Sequence, residues 1–300
     1  MISRRGCVGV IGATSIVGEY LLSLLVKEGW EVVAFSRREQ NIKPLVNGAP
    51  TWQLLSESGF IHSSEICQKE KKISFWICLA PIWVLSEYFP LLLSYGARRV
   101  VAISSTSRFT KKASADDHEK KIAKRLADSE ETLMAWAKKE NIACTVLRPT
   151  MVYDFGRDKN ITFIARFIKR FRFFCILGEA SGLRQPVHAQ DVASACAAAL
   201  KSEAAINRSY NISGGEVLNY REMVGRIFEA LNKKPRYVKI PLWLFRAAVF
   251  FLQLSPRYRH WSAAMAQRMN QDMAFDNMDA RRDLGFSPGP FRLAGYDLKI

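Results

Sequence analysis

The sequence predicts an α/β protein built on a Rossmann-type, doubly wound parallel sheet, with a smaller, mainly helical C-terminal lobe. Short apolar runs rich in β-branched residues alternate with segments of helical periodicity through the first half of the chain. This alternation is typical of a parallel sheet with helices on both faces. A glycine-containing turn joins the first apolar run to the first helical segment, and the alternation stops near residue 150.

The predicted elements follow one another along the chain. Strands are expected at 7–11, 31–35, 73–79, 99–103 and 143–147, and helices at 17–28, 82–95 and 119–140. Beyond residue 150, helices are expected at 160–172, 190–201, 220–232, 242–254 and 259–270, and short strands near 208–212 and 236–240. We therefore predict a Rossmann domain at 1–150 and a second lobe at 151–300, with some segments of that lobe returning to the sheet.

Composition and charge narrow the class of protein. The chain has 300 residues, of which 44 are Lys or Arg and 28 are Asp or Glu, so its formal net charge is +16. Such a surface attracts phosphorylated small molecules or anionic lipid, although a generic basic surface explains the same count. No nucleic-acid-binding motif accompanies the charge, so nucleic acid is not an expected partner.

The cysteine pattern indicates the chemical setting. The six cysteines are scattered singly, without a CxxC pair or a Cys/His cluster. This pattern predicts neither a disulfide framework nor a metal site, and it favours a reduced, cytoplasmic location. The N-terminal apolar run is short and broken by glycines, so we interpret it as a strand rather than as a signal peptide.

The stretch “GVIGATSIVGEYLL” at residues 9–22 contains a strand, a glycine turn and a helix start in direct succession. Gly12 and Gly18 stand where a dinucleotide-binding loop has its first and third glycines, and Ser15 replaces the middle one. Gly12 allows the tight turn, Ser15 is small enough for close approach of a pyrophosphate, and Gly18 lets the helix pack on the strand. The helix N-terminus then presents N–H groups to phosphate. We predict that this turn binds a dinucleotide; the alternative is a tight strand–helix turn without a ligand.

The end of the second predicted strand indicates which dinucleotide is bound. It reads Ser36-Arg37-Arg38, whereas an NAD-binding protein normally has an acidic residue there for the ribose 2′-hydroxyl. A hydroxyl and two guanidinium groups suit a 2′-phosphate instead. We therefore predict NADP rather than NAD as the cofactor, with a solvated basic loop as the alternative.

Six segments along the chain match a known order of motifs. They are “IGATSIVG” at the first turn, “VVAISSTS” (100–107), “TVLRPTMVYDFGRD” (145–158), “LRQPVHAQDVASACAAAL” (183–200), “YNISGGEVLNYREMVGRIFEALNKKP” (210–235) and “FDNMDARRDLGFSP” (275–288). In this order they resemble the motifs of the extended short-chain dehydrogenase/reductase family, the group of the NDP-sugar epimerases and dehydratases. The resemblance is specific for the fold and not for the reaction.

The resemblance implies roles for residues in both halves of the chain. For the cofactor it implies contacts from the glycine turn and from the strand ends beside it: Gly12, Thr14, Ser15, Ile16, Val17, Gly18, Leu79, Ala80, Pro81, Ser104 and Pro149. For a sugar-nucleotide substrate it implies Asn160, Arg184 and Arg268, with the two arginines at the diphosphate. It also implies a structural role for His188. For Arg184, the alternative is an arginine at the surface.

The same resemblance shows a missing catalytic pair. The family transfers a proton through a tyrosine and a lysine four residues apart on the helix after the serine-containing strand. Alignment through “SEETLMAW” places Ile122 and Leu126 at those two positions. No tyrosine lies between Tyr95 and Tyr153, so a shifted alignment does not restore the pair. The chain therefore resembles the atypical branch of the family, whose members bind NADP and are variously reductases, sensors or structural subunits.

Several residues remain as candidates for chemistry and for helix capping. Ser105 or Thr106 keeps the family's serine position, and Tyr153 is a further candidate acid. Other candidate proton carriers nearby are His118, Lys120, Lys121 and Lys124. Histidine is a common general acid or base, but a solvated helix face is the alternative for all four. Asp191 is expected to cap a helix that begins near Val192.

Two segments have the pattern of a membrane-surface element. “ITFIARFIKRFRFFCIL” (161–177) alternates Phe and Ile with Arg and Lys, and “IPLWLFRAAVFFLQLSPRYRHW” (240–261) has an apolar run interrupted by Arg246. Both are shorter than the roughly 20 apolar residues that span a bilayer. Each suits either a membrane interface or the core and rim of the second lobe.

The sequence therefore predicts an NADP-binding protein that acts as an oxidoreductase or epimerase-like enzyme on a nucleotide-linked sugar or a similar small molecule. The alternative is a non-catalytic NADP-binding protein, structural or redox-sensing, that docks on a partner or on a membrane surface. We expect a cytoplasmic location with peripheral contact at the inner membrane face. The substrate, the proton donor and the oligomeric state stay open.

Overall fold

A parallel sheet is the central feature of the structure, a computed structural model that describes residues 6–37, 49–55, 72–241, 243–245 and 267–293. The strands, in chain order, are β1 (Cys7–Ile11), β2 (Glu31–Ser36), β3 (Thr51–Leu54), β4 (Phe75–Cys78), β5 (Arg99–Ile103), β6 (Ala143–Pro149), β7 (Val152–Tyr153), β8 (Phe174–Leu177), β9 (Leu183–Arg184), β10 (Val187–His188), β11 (Arg208–Ile212), β12 (Leu218–Asn219) and β13 (Tyr237–Ile240). Seven of these form one sheet in the order β11-β6-β5-β4-β1-β2-β3, and every neighbouring pair is parallel. The predicted Rossmann-type sheet is confirmed.

Helices connect the strands and cover the sheet. They are α1 (Ile16–Lys27), α2 (Phe89–Ser94), α3 (Ser107–Thr110), α4 (Asp117–Lys139), α5 (Ile161–Phe171), α6 (Ala189–Lys201), α7 (Tyr220–Ala230) and α8 (Met278–Leu284). The segment predicted as one helix at 82–95 is instead a 3₁₀ helix at Ile82–Tyr88 followed by α2. Pro90 explains the break, because proline has no N–H and its ring crowds the carbonyl four residues earlier. Most of the helices predicted at 242–254 and 259–270 lies outside the described residues, which include only 243–245 of the first and 267–270 of the second.

The sheet is buried on both faces, because successive side chains of a strand point to opposite sides. In β2, Val32 and Ala34 belong to the core that includes α1 and α6, whereas Val33 and Phe35 belong to the core that includes α2 and α4. α6 is rich in alanine, and it packs directly against α1. These two cores hold the nucleotide turn and the helix of the missing pair in fixed positions.

A third core lies among the residues that were predicted to form the second lobe. Helices α5 and α7 pack against each other through Ile164, Ile168, Ile227 and Phe228, and the parallel pair β8–β13 lies beside them. Strand β11 pairs with β6, so residues 208–212 extend the main sheet. None of the helices in the described ranges combines the length and the hydropathy that a bilayer-spanning segment needs.

The strand order places a crevice at the carboxyl ends of β1 and β4. These strands are neighbours, and β1 pairs with β2 on its other side. The chain thus moves outward from β1 to β3 and then returns across β1 to begin the other half of the sheet at β4. In open α/β sheets, ligands bind where the strand order reverses in this way. The turn after β1 and residues 79–81 after β4 border this crevice.

Candidate functional site

The turn after β1 is built from very close backbone contacts. Gly12 has φ +80°, and a Cβ placed on it would lie 2.6 Å from the backbone N of Ala80. A Cβ on Gly18 would overlap the carbonyl oxygen of Ala13. Side chains at either position would therefore push the turn away from β4 or the helix away from the turn. The local backbone therefore requires glycine at both positions, although the close contact of Gly18 is with the turn itself rather than with the strand.

Ser15 has a more specific position than the sequence indicated. It is the N-cap of α1, and its Oγ accepts a hydrogen bond from the N–H of Gly18 at 3.1 Å. Its own N–H donates to the carbonyl of Gly12 at 3.1 Å, which closes the turn. The N–H groups of Ile16 and Val17 in the first turn are donors that an α-helix leaves without an intrahelical partner. The helix start therefore fits an anionic group such as a pyrophosphate.

The remaining predicted cofactor residues lie around the same end of the sheet. Thr14 is exposed, Val17 and Pro149 are buried, and Leu79, Ala80 and Pro81 follow β4. The N–H of Leu79 donates to the carbonyl of Ile11 at 2.8 Å, which ties residue 79 to β1. Their contact with a dinucleotide stays a prediction.

The end of β2 lies one strand away from the glycine turn. Ser36 is its last residue and is largely buried, whereas Arg37 is exposed. Arg38, the third residue of the predicted 2′-phosphate site, lies outside the described residues. An exposed guanidinium at the carboxyl end of β2 fits the chemistry of a ribose phosphate.

Three consecutive hydroxyl side chains follow β5, and they differ in what they contact. The Ser104 hydroxyl is buried and donates to the Glu130 carboxylate at 2.5 Å. The Thr106 hydroxyl is also buried and donates to the carbonyl of Pro149 at 3.2 Å. Ser105 is half-buried, and its Oγ accepts from the N–H of Ser107 at 3.1 Å, so its hydroxyl hydrogen is left to donate. Of these three, Ser105 is the one suited to hold a substrate oxygen.

A buried charge cluster next to these hydroxyls was not predicted from the sequence. Glu130 of α4 is buried, and it pairs with Arg108 and, through two guanidinium nitrogens, with Arg148 at 2.6 and 3.0 Å. With the Ser104 hydroxyl, the cluster joins α4, β6 and the segment that carries Ser105. The only sequence signal was the “SE” of “SEETLMAW”, which the alignment used without giving Glu130 a role.

The positions of the missing catalytic pair are part of the hydrophobic core. Leu126 is buried against the sheet, and Ile122 packs against the same core. His118, Lys120, Lys121 and Lys124 of the same helix are exposed, as the solvated-face alternative expects. The two aligned positions carry no group that exchanges protons.

Tyr153 lies inside the structure. It is buried between the rings of His188 and Phe291, with ring centroids 5.2 and 4.9 Å away. Its hydroxyl accepts a hydrogen bond from the N–H of Arg292 at 3.2 Å. Burial raises the pKa of Tyr153 above its usual value. These contacts favour a packing role, and its action as an acid stays a prediction.

The two arginines expected at a substrate diphosphate both contact protein groups. Arg184 is only 4% exposed, so it is not a surface arginine. Its guanidinium donates to the carbonyls of Leu183 and Gln271, at 2.7 and 2.8 Å, and to that of Arg268. The Arg268 side chain in turn pairs with Glu119 at the start of α4. Arg184 thus fixes the turn that carries Arg268, and Arg268 links the second lobe to the Rossmann half.

Lys111 lies beside this link and was not singled out from the sequence. Its ammonium is 4.0 Å from the Glu119 carboxylate, and the Ser114 hydroxyl donates to the same carboxylate at 2.8 Å. Burial and the neighbouring charge of Arg268 lower the pKa of Lys111. Lys111 is half-buried and lies beside charged side chains, so it is a further candidate proton carrier.

Asn160, the third predicted substrate residue, is exposed at the start of α5. Its N–H donates to Asp158 at 2.7 Å, and the same carboxylate accepts from the N–H of Ile161 at 2.6 Å. Asp158 therefore caps the helix, and the Asn160 side chain makes no capping hydrogen bond. A contact of Asn160 with substrate stays a prediction.

Arg157 is a further residue that the sequence analysis did not predict. It pairs with Glu19 in the first turn of α1 and with Asp154, and it lies 5.6 Å from the ring centroid of Tyr20. Asp154 is buried, and its Oδ1 has no hydrogen-bond partner among the described residues. This contact holds the loop after β7 against the first turn of α1, next to the nucleotide turn.

The prediction that Asp191 caps α6 is wrong. The helix begins at Ala189, and His188 is the N-cap, with its Nδ1 accepting from the N–H of Gln190 at 3.2 Å. Asp191 lies within the first turn and accepts from the N–H of Gly289 at 3.2 Å. His188 also contacts the rings of Tyr20 and Tyr153. Within the described ranges, no group of three or more His, Cys, Asp or Glu side chains is arranged to hold a metal ion.

Comparison with known proteins agrees with this geometry. Residues 89–213 match the model of the NAD dependent epimerase/dehydratase family. This match supports the resemblance to the extended short-chain dehydrogenase/reductase family that the order of motifs indicates. Two curated relatives are subunit 9 of the NADH dehydrogenase [ubiquinone] 1 alpha subcomplex from Arabidopsis thaliana, mitochondrial, and short-chain dehydrogenase/reductase family 42E member 1 from Mus musculus.

These relatives match over limited lengths. The first is 29% identical over 104 residues, which are 34% of this chain and 26% of that protein. The second is 25% identical over 161 residues, which are 49% of this chain and 41% of that protein. The chain therefore spans less than half the length of either relative.

Solved structures match over nearly the whole chain. The UDP-glucuronic acid 4-epimerase of Bacillus cereus, in complex with NAD, superposes with a TM-score of 0.68 at 15% identity, covering 95% of this chain and 92% of that one. The UDP-glucose 4-epimerase of Thermotoga maritima, with UDP-glucose, superposes with a TM-score of 0.64 at 15% identity, covering 94% and 93%. At these identities the likeness shows the fold.

Proposed function

We propose that this short-chain dehydrogenase/reductase-like protein binds NADP in the crevice at β1 and β4 and holds it as a structural or redox-sensing ligand. One observation carries the proposal: a closely built nucleotide turn accompanies a helix whose Leu126, at the position of the family's lysine, is packed into the core. Leu126 is part of the core on this face of the sheet, and its side chain has no group that exchanges a proton.

The cofactor preference rests on the end of β2. The exposed Arg37 side chain and the sequence neighbour Arg38 suit a 2′-phosphate. The Bacillus cereus structure contains NAD, so NAD is the competing cofactor. When bound, either dinucleotide would donate a hydride from its nicotinamide ring in the reduced form and accept one in the oxidised form, and Ser105 is the residue of this chain that we propose to hold a substrate oxygen.

A second candidate function is an oxidoreductase or epimerase-like activity on a nucleotide-linked sugar. Two observations favour it: the available Ser105 hydroxyl and the lowered pKa of Lys111 beside Arg268. The Thermotoga maritima epimerase was solved with UDP-glucose, which supplies the substrate class. In this alternative Lys111 moves the proton, and Asn160, Arg184 and Arg268 contact the substrate. A cytoplasmic location belongs to both candidates.

Titration with NADPH and NADH, each followed by its fluorescence, tests cofactor binding. We expect NADPH to bind more tightly, and Arg37→Glu to weaken NADPH at least tenfold, because a charge-assisted hydrogen bond contributes about 1.5–3 kcal/mol. NADH affinity should change little. Lys27→Glu is the control, because it makes the same charge change at the C-terminal end of α1, away from the nucleotide turn. Equal effects of the two variants on NADPH would contradict the assignment.

A screen of UDP- and dTDP-linked sugars for hydride turnover then separates the two candidates. The structural or sensing function predicts tight NADPH binding without turnover. Turnover that is lost in Lys111→Met, with NADPH affinity unchanged, would establish the enzyme instead. The Thr110→Val variant, one residue earlier, is the matched control, because it changes no charge beside Arg268.

A further inference from the structure

Arg157 is a cation that the structure holds against the first turn of α1. Its guanidinium pairs with Glu19 on that turn and lies 5.6 Å from the ring centroid of Tyr20. Because the side chains of a helix tilt toward its N-terminus, the Glu19 carboxylate lies back over the helix start. The guanidinium is therefore within about one helical turn, roughly 5 Å, of the N–H groups of Ile16 and Val17.

A buried carboxylate anchors the same guanidinium at its other end. Asp154 is 1% exposed and pairs with Arg157. Its Oδ1 has no hydrogen-bond partner among the described residues, so the carboxylate has acceptor capacity left for a second N–H of this guanidinium. Leaving a buried charge without its partner is costly, so Arg157 stays at Asp154 whichever group it meets at α1.

The loop that carries Arg157 is fixed by its own hydrogen bonds. The N–H groups of Arg157 and Asp158 donate to the carbonyl of Asp154 at 2.9 and 3.0 Å. The N–H of Gly156 donates to the Thr162 hydroxyl at 2.9 Å, and that hydroxyl donates to the Asp158 carboxylate at 2.9 Å. The backbone on both sides of Arg157 is thus held in place, and the choice of partner is left to its side chain.

The pair with Glu19 is the weaker of the two contacts of Arg157. The Glu19 side chain is 59% exposed and that of Arg157 is 34% exposed. Exposed ion pairs contribute little, because water screens them and because two long side chains must be ordered to form them. A phosphate at the helix start is held by backbone N–H groups, so it meets the guanidinium without that ordering cost. Exchange of Glu19 for a phosphate oxygen is therefore favourable.

The other groups predicted to contact the pyrophosphate are uncharged. Gly12, Thr14, Ser15 and Ile16 bring backbone N–H groups and hydroxyls, but no cation. A pyrophosphate carries negative charge on both phosphates, and guanidinium groups bind phosphate oxygens through short, charge-assisted hydrogen bonds. A cation next to this turn therefore supplies what the turn itself lacks.

We propose that Arg157 contacts the pyrophosphate of the bound dinucleotide, exchanging Glu19 for a phosphate oxygen while it stays paired with Asp154. The inference rests on the proposed dinucleotide site, to which it adds a residue of the loop after β7. The pyrophosphate is common to NADP and NAD, so Arg157 contributes to the affinity for both cofactors. The proposed contact of Arg37 with the 2′-phosphate serves NADP alone.

Fluorescence titration of the full chain with NADPH and with NADH tests the proposal. Arg157→Gln is expected to weaken the binding of both cofactors about tenfold and by the same factor, because a charge-assisted hydrogen bond is lost. Arg221→Gln is the matched control, since Arg221 on α7 pairs with Glu179 and lies 4.6 Å from the ring centroid of Tyr237. Unchanged affinity in Arg157→Gln, or weakening of NADPH alone, would overturn the proposal.

A double variant separates contact with the pyrophosphate from neutralisation of Glu19. Glu19→Gln removes the carboxylate that competes for Arg157, so we expect it to bind NADPH at least as tightly as the unchanged protein. Glu19→Gln combined with Arg157→Gln should then bind NADPH about tenfold more weakly than Glu19→Gln alone. Equal affinity of these two variants would mean that Arg157 only offsets the charge of Glu19, which would overturn the contact.

A conservative variant distinguishes binding from folding. Arg157→Lys keeps a cation beside Asp154 but lacks the planar fork of the guanidinium, so its NADPH affinity should lie between those of the unchanged protein and Arg157→Gln. Affinities that instead follow the urea midpoints of the three proteins would show a purely structural role. If the unchanged protein binds neither cofactor, the proposed dinucleotide site itself is wrong. If it binds both and Arg157→Gln binds equally well, only the Arg157 contact is wrong.

Discussion

At the scale of single residues, close backbone contacts decide what the nucleotide turn tolerates. Gly12 and Gly18 are held against the backbones of Ala80 and Ala13, so each lacks room for even one methyl group. The serine between them is not a weakened glycine: its hydroxyl caps α1 through Gly18. The turn therefore combines a cap with a phosphate-facing helix start.

We expect Gly18→Ala to destabilise the protein by about 2 kcal/mol or more, because the added Cβ overlaps the Ala13 carbonyl and overpacking costs about 1–3 kcal/mol. Urea unfolding measures the change, and NADPH affinity should fall as well. Gly289→Ala is the control, since a Cβ there meets no atom within 4 Å. Equal stability of the two variants would mean that the turn relaxes freely.

Arg184 is a second case at the scale of single residues. Because its side chain is buried against carbonyls, its substitution tests stability as well as substrate binding. Arg184 donates to three carbonyls, and an unsatisfied buried polar group costs about 1–3 kcal/mol. We expect Arg184→Ala to lower the free energy of unfolding by about 3 kcal/mol. Arg221→Ala, which removes an exposed pair with Glu179, should cost little. Loss of UDP-sugar binding at full stability would show instead that Arg184 is a substrate ligand.

At the scale of elements, the Glu130 cluster determines where α4, β6 and the segment after β5 meet. Two guanidinium groups and one hydroxyl share a single buried carboxylate. Removing one partner of a buried ion pair leaves an uncompensated charge and costs about 3–5 kcal/mol. The cluster also holds the main chain on both sides of Ser105, so its geometry sets the hydroxyl position.

We expect Glu130→Gln to lower the free energy of unfolding by about 3 kcal/mol, measured by urea unfolding. Glu131→Gln is the matched control, because Glu131 is the next residue on α4 and is exposed. A similar small loss of unfolding free energy in both variants would mean that water replaces Glu130 as the hydrogen-bond partner of Arg108 and Arg148. That outcome would remove the argument that this cluster positions Ser105.

At the scale of the whole molecule, buried cysteine thiols lie on both faces of the sheet, so their reactivity measures the opening of each core. Cys196 belongs to the core with α1 and α6, and Cys78 and Cys144 belong to the core with α2 and α4. Burial raises the pKa of each of these three thiols to about 12. At pH 8 the thiolate fraction is then on the order of 10⁻⁴, so a folded molecule does not react.

We therefore expect the thiol reagent DTNB at pH 8 to label these three cysteines only as fast as the whole sheet unfolds, with one common rate. Because their folded pKa is above the unfolded value, their contribution to stability is constant below about pH 9 and is lost as the pH rises toward 12. The urea midpoint should fall above pH 9. Fast labelling of one face alone would show that the two cores open separately.

Much of the fold is predictable because it depends on local patterns. Alternating apolar runs and helical periodicity are properties of neighbouring residues, and they predict β1, β2, β5, β6, α1 and α4 within a few residues. Pro90 is visible in the sequence, but it does not by itself show that residues 82–95 form a 3₁₀ helix followed by a separate α-helix. That outcome depends on the balance between a continuous helix and a 3₁₀ turn. Strand 208–212 is predictable as a strand, whereas its place beside β6 depends on pairing between residues that are 63 positions apart in the chain.

The candidate site divides in the same way. The order of motifs identifies the family, the glycine turn and the missing tyrosine–lysine pair, because each is a matter of residue type at a spacing. Three-dimensional packing alone determines that Ser105 rather than Ser104 or Thr106 has an available hydroxyl, and that Arg184 contacts carbonyls. It also brings Lys111, Glu119 and Arg268 together. Such contacts join residues far apart in the chain, and no local pattern encodes which partner a side chain finds.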